Sequence, residues 1–469
     1  MFAGRNILVI GAGLSGCSAA KFLTAAGAEV TVSDSKPINQ WDSALIEKLK
    51  TLGIKVEAGH HSLKSIRGAD LIVVSPGVPM DAEPVAVALK EEIPLCGDFC
   101  LSASLWKGPI IGITGTNGKT TTTMLVYEML KASGIESVCA GNIGTPLFDL
   151  FDQNSEECVA VLEVSSFQLD YCLPTPFAPM PQFSASAILN FAPDHLDRYS
   201  SMDDYKESKA KIFNLLQQDG LALLPIAFNR DKDKWLSCPK DVNVALFGQK
   251  EEGIEHGSFY DPLTKELWVN LKSSSPVSYP LQDCRLSGLH NFENIAAATP
   301  LATWLGAEPE AIQATIDSFK APPHRFQYVG ELNGIKFYND SKATNVAATC
   351  SAIKGLDAAG VLIAGGSSKG EDFSELANAV KASNLRAVVV MGEEASAIKA
   401  SLQDVIPVTH VKTNGNGLKA MQDAIAVAFK MAKSGDLVLL SPACASFDLY
   451  KNYAERGNMF KQAVNALKG

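Results

Sequence analysis

The segment from Ile113 to Thr121 carries residues whose types and spacing could do chemistry, because Gly115 and Gly118 stand just before Lys119 and Thr120. A glycine-rich turn from a strand into a helix points backbone N–H groups and the positive helix end at phosphate oxygens. Lys119 adds a positive charge, and Thr120 offers a hydroxyl to a nucleotide-bound Mg²⁺. The spacing predicts a phosphate-binding loop, although Ile113 stands where the usual P-loop pattern has its first glycine.

The elements beside this loop must hold it in place. Ile110–Thr114 is an apolar run typical of a buried strand, and the helix that follows is predicted to end near Gly134. Strands and helices continue to alternate to about residue 225. Residues 242–285 contain short strand-like runs separated by Gly, Pro and Ser, which predicts a small antiparallel addition.

An N-terminal module precedes this region. The apolar run Asn6–Ile10, the glycine pattern of residues 11–16 and the run Glu29–Asp34 form a β-α-β pattern. Read alone, the glycines and Asp34 suggest a site for NAD, but such a fingerprint is a weak signal. The module is predicted to close near residue 97.

A third α/β module follows the paired prolines of Ala321-Pro322-Pro323, which disfavour helix and indicate a linker. Its predicted strands are 361–364, 387–391 and 437–440. The fold class is therefore α/β with three domains, of which the first and third are Rossmann-like and the second is a P-loop ATPase-like parallel sheet with the antiparallel addition. The predicted domains are residues 1–97, 98–321 and 322–469.

Composition excludes several classes of protein. The 469 residues carry a formal net charge of −10, and the positive stripe that a nucleic-acid-binding protein needs is absent from the sequence. The ten cysteines include no CxxC pair and are typical of reduced thiols in the cytosol. No signal peptide and no run of about 20 apolar residues stands out. We therefore expect a cytoplasmic protein with neither a nucleic-acid nor a membrane partner.

Several segments, together with the phosphate loop, resemble the motifs of one family in the family's order. They are Glu163–Leu169, Asn190–Arg198, His290–Asn294, Asp340–Asn345, Gly365–Lys369 and Ser441–Asp448. The family is that of the Mur ligases, the cytoplasmic enzymes of peptidoglycan precursor synthesis, and the resemblance covers essentially the whole chain.

The resemblance implies an ATP-dependent ligase, and the motifs are most similar to those of the members that add D-glutamate to UDP-N-acetylmuramoyl-L-alanine. The implied route transfers the γ-phosphoryl group of ATP to the alanyl carboxylate, and the amine of D-glutamate then attacks the acyl phosphate. The implied cofactors are ATP and two Mg²⁺ ions, and the implied state is a monomer.

The resemblance also implies which residues meet ATP and metal. The implied ATP-binding residues are Gly115, Thr116, Asn117, Gly118, Lys119, Thr120, Thr121, Asn291, Asn294, Arg325 and Asp340. The implied metal ligands are Thr120, Glu163, His195 and Lys209, the last as a carbamate. Lys119, His195, Lys209 and Arg325 are the expected catalytic residues. His195 could act as a metal ligand or could help to deprotonate the incoming ammonium, and both roles stay open.

Two further sets of residues are implied for the other substrates. The UDP-precursor set is Leu14, Ser15, Ser35, Lys36, Gly77 and Asn142. The D-glutamate set is Lys342, Thr344, Lys369, Ser446 and Tyr453, where Tyr453 stands at a position that is usually phenylalanine in the family. The proline-rich run Pro174–Pro181 is longer than expected for the family and is predicted to form a loop.

Three alternatives remain at this point. The first module could belong to an NAD-dependent oxidoreductase, or ATP could act only as a switch in a binding protein. Within the ligases, the chain could add a different amino acid to a different precursor, or could add L-glutamate, because chirality cannot be read from residue types.

Overall fold

The computed structural model describes residues 1–468 apart from 42, 143, 195–197, 232–238, 253–255, 273–274, 287, 321–322, 355, 357, 368–371 and 414. His195, Lys369 and the linker residues Ala321 and Pro322 therefore lie outside the described residues. The described strands form three sheets of five, nine and six strands, each predominantly or entirely parallel. None of the described helices is both long and apolar enough to cross a lipid bilayer.

The N-terminal sheet is parallel throughout, with strand order β3-β2-β1-β4-β5. Its strands are β1 Asn6–Ile10, β2 Glu29–Asp34, β3 Lys55–Ala58, β4 Leu71–Val74 and β5 Leu95–Gly97. Its helices are α1 Leu14–Ala25, α2 Ser43–Thr51, α3 Leu63–Arg67, α4 Glu83–Lys90 and α5 Asp98–Leu105, with a 3₁₀ turn at Ile38–Gln40. Apart from the exposed Asn6, strands β1 and β4 are apolar and buried because helices cover both faces of the sheet.

The central sheet has the order β14-β13-β12-β11-β10-β9-β6-β8-β7, and only the β12-β13 and β13-β14 pairs are antiparallel. Its strands are β6 Ile110–Thr114, β7 Ser137–Gly141, β8 Val159–Glu163, β9 Phe183–Ile188, β10 Leu216–Pro225, β11 Asn243–Gln249, β12 Gly257–Asp261, β13 Glu266–Asn270 and β14 Val277–Pro280. Its helices are α6 Lys119–Ala132, α7 Ser166–Asp170, α8 Met202–Ala210, α9 Ile226–Asp231, α10 Leu289–Trp304 and α11 Pro309–Ser318, and its 3₁₀ turns are Leu147–Gln153 and Lys211–Leu215. The predicted antiparallel addition is confirmed for β12, β13 and β14 at the edge of this sheet, whereas β11, in the same predicted range, pairs in parallel with β10 and β12.

The C-terminal sheet has the order β15-β16-β20-β17-β18-β19, with only the β15-β16 pair antiparallel. Its strands are β15 Gln327–Leu332, β16 Ile335–Asn339, β17 Gly360–Ala364, β18 Leu385–Val390, β19 Val408–His410 and β20 Leu437–Leu440. Its helices are α12 Val346–Lys354, α13 Ser374–Lys381, α14 Ala395–Leu402, α15 Gly417–Met431 and α16 Tyr453–Lys468.

Alternation along these strands builds two cores, one on each face of the C-terminal sheet. Val361 and Ile363 enter the core that α15 and α16 cover, whereas Leu362 and Ala364 enter the core beneath α12, α13 and α14. Successive side chains of a strand point to opposite faces of the sheet, so one apolar run contributes residues to both cores. The predicted strands of this module are confirmed.

Contacts group the described chain into two compact units. The first contains Met1–Asn190, Asp203–Asp283 and Asn294–Asp317, and the second contains Phe191–Met202, Cys284–Glu293 and Ser318–Gly469. The three sheets agree with the three-domain fold class. The exact boundaries after residues 97 and 321 remain predictions.

The proline-rich run Pro174–Pro181 contains neither helix nor strand, apart from a bridge between Thr175 and Ala178. It packs against the N-terminal sheet: the Phe177 ring stacks on Phe2 with 6.3 Å between centroids. Arg5 lies 5.8 Å from the centroid of the same ring. The predicted loop is thus confirmed, and Phe177 anchors it to residues beside the N-terminal sheet.

Candidate active site

The predicted phosphate loop joins the buried strand β6 to α6. Gly115 has a φ of 147° and Gly118 a φ of 84°, in the region that side chains other than glycine's rarely adopt. A Cβ atom on Gly118 would lie 2.3 Å from Asn294 Oδ1, and one on Gly115 would lie 2.9 Å from Leu189 Cβ. Both glycines are therefore required by conformation and by space.

Residues after β9 support the loop from one side. The Asn190 side chain accepts a 2.8 Å hydrogen bond from Asn117 N and donates a 3.1 Å bond to Asn117 O. The Asn190 carbonyl accepts a 3.0 Å bond from Thr116 N. Lys119 Nζ donates to the carbonyl oxygens of Gly115 and Thr116, both at 2.8 Å. The ammonium group is thereby held against the loop.

A carboxylate meets the start of α6. Glu163, 4% exposed at the end of β8, accepts a 2.7 Å bond from Thr120 Oγ1 and a 3.1 Å bond from Asn142 Nδ2. Gly141 allows this approach, since a Cβ there would lie 2.3 Å from the Glu163 carbonyl oxygen. The structure thus brings the predicted metal ligands Thr120 and Glu163 together and places Asn142, predicted for the precursor, against them.

Lys209 differs from the lysines beside it in sequence. It is 2% exposed, and its Nζ lies 4.6 Å from the centroid of the Tyr205 ring. The Tyr205 hydroxyl lies 3.2 Å from Thr116 Oγ1, so this face of α8 reaches the phosphate loop. Lys206 instead pairs with the exposed carboxylate of Asp203, and Lys211 with the half-buried carboxylate of Asp170.

Other predicted ATP-binding residues are partly or wholly buried. Thr121 is 3% exposed, and Asn291 and Asn294 are 7% and 8% exposed. Asn294 Oδ1 accepts a 3.4 Å bond from Thr122 Oγ1, which ties α10 to α6. Sequence reasoning did not identify Tyr205 as a support of the loop, because only the fold brings it there.

Five of the six predicted precursor-binding residues follow three adjacent strands of the N-terminal sheet, and the sixth, Asn142, follows β7 of the central sheet. Leu14 and Ser15 follow β1, Ser35 and Lys36 follow β2, and Gly77 follows β4. Parallel strands end at the same edge of the sheet, where ligands of such sheets bind. All five residues are exposed or half-buried.

Asp34 does not present a free carboxylate at this edge. One oxygen accepts a 2.8 Å bond from Ala12 N and the other a 2.8 Å bond from Lys36 N. The acidic residue of the fingerprint therefore links the two loops, which weakens the dinucleotide interpretation.

A small cavity is lined by residues of the N-terminal and central modules, among them Ser15, Asp98, Gly141 and Gln168. Asp98 Oδ1 accepts a 2.6 Å bond from Phe99 N, while its Oδ2 has no hydrogen-bond partner among the described residues. Burial raises the pKa of Asp98 to about 7.

The second unit carries the predicted amino-acid site at the ends of two adjacent strands, β16 and β20. Lys342 Nζ lies 3.9 Å from the centroid of the Tyr453 ring, a cation–π contact. Thr344 is half-buried and Ser446 is 2% exposed. Lys369 lies outside the described residues.

Asp340, predicted to meet the ribose, follows β16 in the same unit. Its carboxylate accepts a 3.1 Å bond from Phe326 N and a 3.0 Å bond from Ser441 Oγ. Burial raises the pKa of Asp340 to about 7, against the opposing effect of these two bonds. Arg325 is half-buried and stands between His324 and Phe326, which both have positive φ.

Comparison with known proteins gives three family matches in chain order. They are the Mur ligase MurD-like N-terminal domain over residues 5–97, the Mur ligase middle domain over 113–302 and the Mur ligase glutamate ligase domain over 324–444. A relative from Desulfatibacillum aliphaticivorans is 38% identical over 466 residues, which cover 99% of both chains. The chain belongs to the Mur ligase family.

Curated relatives of this Mur ligase share one name. The Desulfatibacillum protein and those from Geotalea daltonii and Koribacter versatilis are each called UDP-N-acetylmuramoylalanine--D-glutamate ligase. The latter two are 37% identical over 468 residues, which cover 99% of this chain and 98% of the relative.

Solved structures of other ligases share the fold at lower identity. A pseudomurein peptide ligase type C from Methanothermus fervidus is 19% identical, with a TM-score of 0.58 and coverage of 99% of this chain and 100% of its own. MurF ligase from Thermotoga maritima in complex with ADP is 16% identical, with a TM-score of 0.56 and coverage of 99% and 96%. These likenesses support the three-domain α/β fold.

Proposed function

We propose that this Mur ligase joins D-glutamate to UDP-N-acetylmuramoyl-L-alanine at the expense of ATP, in peptidoglycan precursor synthesis. The observation that carries the proposal is the phosphate loop with Lys119, Thr120 and Glu163 gathered at the start of α6. The shared name of relatives that match over the full chain supports the identity of both substrates.

The chemistry requires activation of a carboxylate, because joining a carboxylate to an amine in water is uphill. The γ-phosphoryl group of ATP moves to the alanyl carboxylate, giving ADP and an acyl phosphate. The amine of D-glutamate then attacks the activated carbonyl carbon, and inorganic phosphate leaves. In such transfers the protein contributes positioning and stabilisation of charge.

The phosphate loop is suited to the first step. Its backbone N–H groups and the N-terminus of α6 would bind the ATP phosphates, and Lys119 can turn from the loop carbonyls to a phosphate oxygen. The hydrogen bonds of Asn190 hold Thr116 and Asn117 in place before ATP binds. The roles of Thr121, Asn291, Asn294, Arg325 and Asp340 toward ATP remain predictions.

The residues near the loop fit a hard divalent cation. The hydroxyl of Thr120 and the carboxylate of Glu163 are oxygen donors 2.7 Å apart, the ligand type that Mg²⁺ prefers. Bound there, Mg²⁺ would neutralise charge on the phosphates. Carbamylation would convert the buried ammonium of Lys209 into a carboxylate-like oxygen ligand for a second ion. His195, in either of its two predicted roles, remains a prediction.

The residues proposed for the two other substrates are those that the family resemblance implies. We propose that Leu14, Ser15, Ser35, Lys36, Gly77 and Asn142 bind the UDP-precursor. In the second unit, Lys342, Thr344, Lys369, Ser446 and Tyr453 would bind D-glutamate, whose two carboxylates call for cations and hydroxyls. A monomeric state and a cytoplasmic location remain predictions.

The test is phosphate release with UDP-N-acetylmuramoyl-L-alanine, ATP and Mg²⁺, with D-Glu, L-Glu, L-Ala, meso-diaminopimelate or L-Lys added in turn. Only D-Glu is expected to stimulate release. Stimulation by another amino acid would refute the assigned acceptor. Slow hydrolysis that no amino acid stimulates would favour the ATP switch, and binding of NAD would favour the oxidoreductase.

A further inference from the structure

A buried arginine of the second unit has no role in the function described so far. Arg456, on α16, is 0% exposed. The guanidinium lies at the carboxyl ends of β16, β20 and β17, which are neighbours in the C-terminal sheet.

The hydrogen bonds of Arg456 reach the loops after all three strands. Nε donates to Ser341 Oγ at 3.0 Å and Nη2 to Ser341 O at 2.9 Å. Nη1 faces the carbonyl oxygens of Cys444 at 3.1 Å, Ala445 at 3.0 Å and Gly365 at 3.5 Å.

These anchor points directly adjoin the proposed acceptor residues. Ser341 precedes Lys342 and Ala445 precedes Ser446, while Gly365 directly follows β17. Ser341 Oγ also donates a 2.8 Å bond to the Tyr453 carbonyl, so the start of α16 belongs to the same network. The guanidinium therefore fixes the backbone beside Lys342 and Ser446, and Ser341 extends the network to Tyr453.

The partners of this cation are neutral oxygens. Among the described residues, Arg456 forms no ion pair, and Asp340 and Asp448 contribute only longer-range attraction. Burial lowers the pKa of Arg456 to about 10, so the group still carries its charge at neutral pH. A buried cation without a bonded carboxylate costs free energy unless its charge is used.

We infer that Arg456 is a positioning residue for the amino-acid acceptor, which holds the three loops in register and offsets the charge of a dicarboxylate. The inference rests on the proposed function, in which D-glutamate binds at these loops. Arg456 contacts the backbone of the loops and the Ser341 hydroxyl, and we propose no contact between it and substrate.

Two glycines, Gly366 and Gly457, allow the loops and α16 to pack closely around the guanidinium group. A Cβ on Gly366 would lie 2.0 Å from Ala445 O and 3.0 Å from Arg456 Nη1. A Cβ on Gly457 would lie 2.2 Å from His324 Nδ1. The loops and α16 are thus packed around one planar, forked donor, for which the point charge of lysine is a poor substitute.

The experiment compares Arg456→Lys and Arg456→Met with the wild-type protein in the phosphate-release assay. We expect the KM for D-glutamate to rise about tenfold in the lysine variant and about a hundredfold in the methionine variant, because charge-assisted bonds to the loops are lost. The KM for the UDP-precursor, which binds to the other unit, should stay within about twofold. Methylguanidinium should partly restore the KM for D-glutamate in Arg456→Ala.

Arg386 provides the matched control. It pairs with Asp436 at 2.7 Å in the same unit and is 41% exposed, so Arg386→Lys and Arg386→Met should leave the KM for D-glutamate unchanged. An unchanged KM for D-glutamate in Arg456→Lys would overturn the inference. An equal rise in the KM for all three substrates together with a lowered Tm would also overturn the inference, since it would indicate a purely structural role. Absence of D-glutamate-dependent release in the wild-type protein would instead refute the proposed function.

Discussion

Gly118, at the start of α6, permits a sharp test of the phosphate loop through the substitution Gly118→Ala. The residue has a φ of 84°, and the added methyl would lie 2.3 Å from Asn294 Oδ1. The substitution therefore meets two separate obstacles, one in the backbone and one in the space occupied by a buried amide.

The magnitudes can be separated. A residue with a Cβ in the left-handed region costs about 1 to 2 kcal/mol of stability, whether or not ATP is bound. Displacing the Asn294 amide or the loop backbone costs about 1 kcal/mol more and moves the N–H groups that would bind phosphate. We expect a total loss of about 2 to 3 kcal/mol in the free energy of unfolding and at least about tenfold weaker binding of ATP.

Gly134, just beyond the end of the same helix, is the matched control. Its φ is 76°, but a Cβ there has no atom within 4 Å. Gly134→Ala should cost only the backbone strain and should leave the Kd for ATP unchanged. Titration calorimetry with Mg-ATP and urea unfolding measure the two quantities.

A double variant isolates the steric part. In an Asn294→Ala background the amide that would clash with the methyl of Gly118→Ala is absent. The factor by which Gly118→Ala weakens ATP binding should therefore be about tenfold smaller in this background than in the wild-type protein. If Gly118→Ala is destabilised as much as Gly134→Ala yet binds ATP like the wild-type protein, Gly118 merely starts a helix and the reasoning is refuted.

Three further predictions concern carboxylates and the buried lysine. Glu163→Gln should raise the Mg²⁺ concentration for half-maximal phosphate release by about tenfold or more, whereas the exposed Glu157→Gln should not; equal Mg²⁺ dependence would remove Glu163 from the metal site. Lys209→Ala should lose activity that short carboxylic acids partly restore, while Lys206→Ala stays active; full activity without added acid would exclude the carbamate. The raised pKa of Asp98, about 7 against an ordinary 3.8, means that its protonated form is favoured in the folded state. Stability from this group is complete below pH 4 and is lost as the pH rises to 7, by at most about 4 kcal/mol. Asp98→Asn should flatten this slope in urea unfolding, and an unchanged slope would contradict the assignment.

Much of the fold could be predicted because the strands are short apolar runs bounded by glycines. Ile110–Thr114, Val361–Ala364 and Leu437–Leu440 need no tertiary information to be identified as buried strands. The short strands within 242–285 were also predictable, since Gly, Pro and Ser separate them, although β11 pairs in parallel rather than antiparallel. The order of the strands in each sheet could not be predicted, because the periodicity of apolar residues says nothing about which strands pair.

The candidate site divides in the same way. The types and spacing of Lys119 and Thr120 predict their proximity, since both belong to one turn. The contacts of Thr120 with Glu163, and of Thr116 with Tyr205, join residues 43 and 89 positions apart. Arg456 gave no signal, because an arginine within a polar helical sequence is ordinarily exposed. Its burial follows only from the convergence of three strand ends.

The anchored proline-rich loop has a consequence for protein engineering and for recombination between relatives. Phe148 and Ala178 are buried in the same core as Val9, Val32 and other residues of the N-terminal sheet. In a chimera joined at residue 97, the N-terminal sheet would come from one parent, whereas Phe148 and Ala178, which complete its core, would come from the other. A functional exchange of the first module should need residues from the 3₁₀ turn Leu147–Gln153 and from Pro174–Pro181 of the same parent, although both lie beyond the crossover point in sequence.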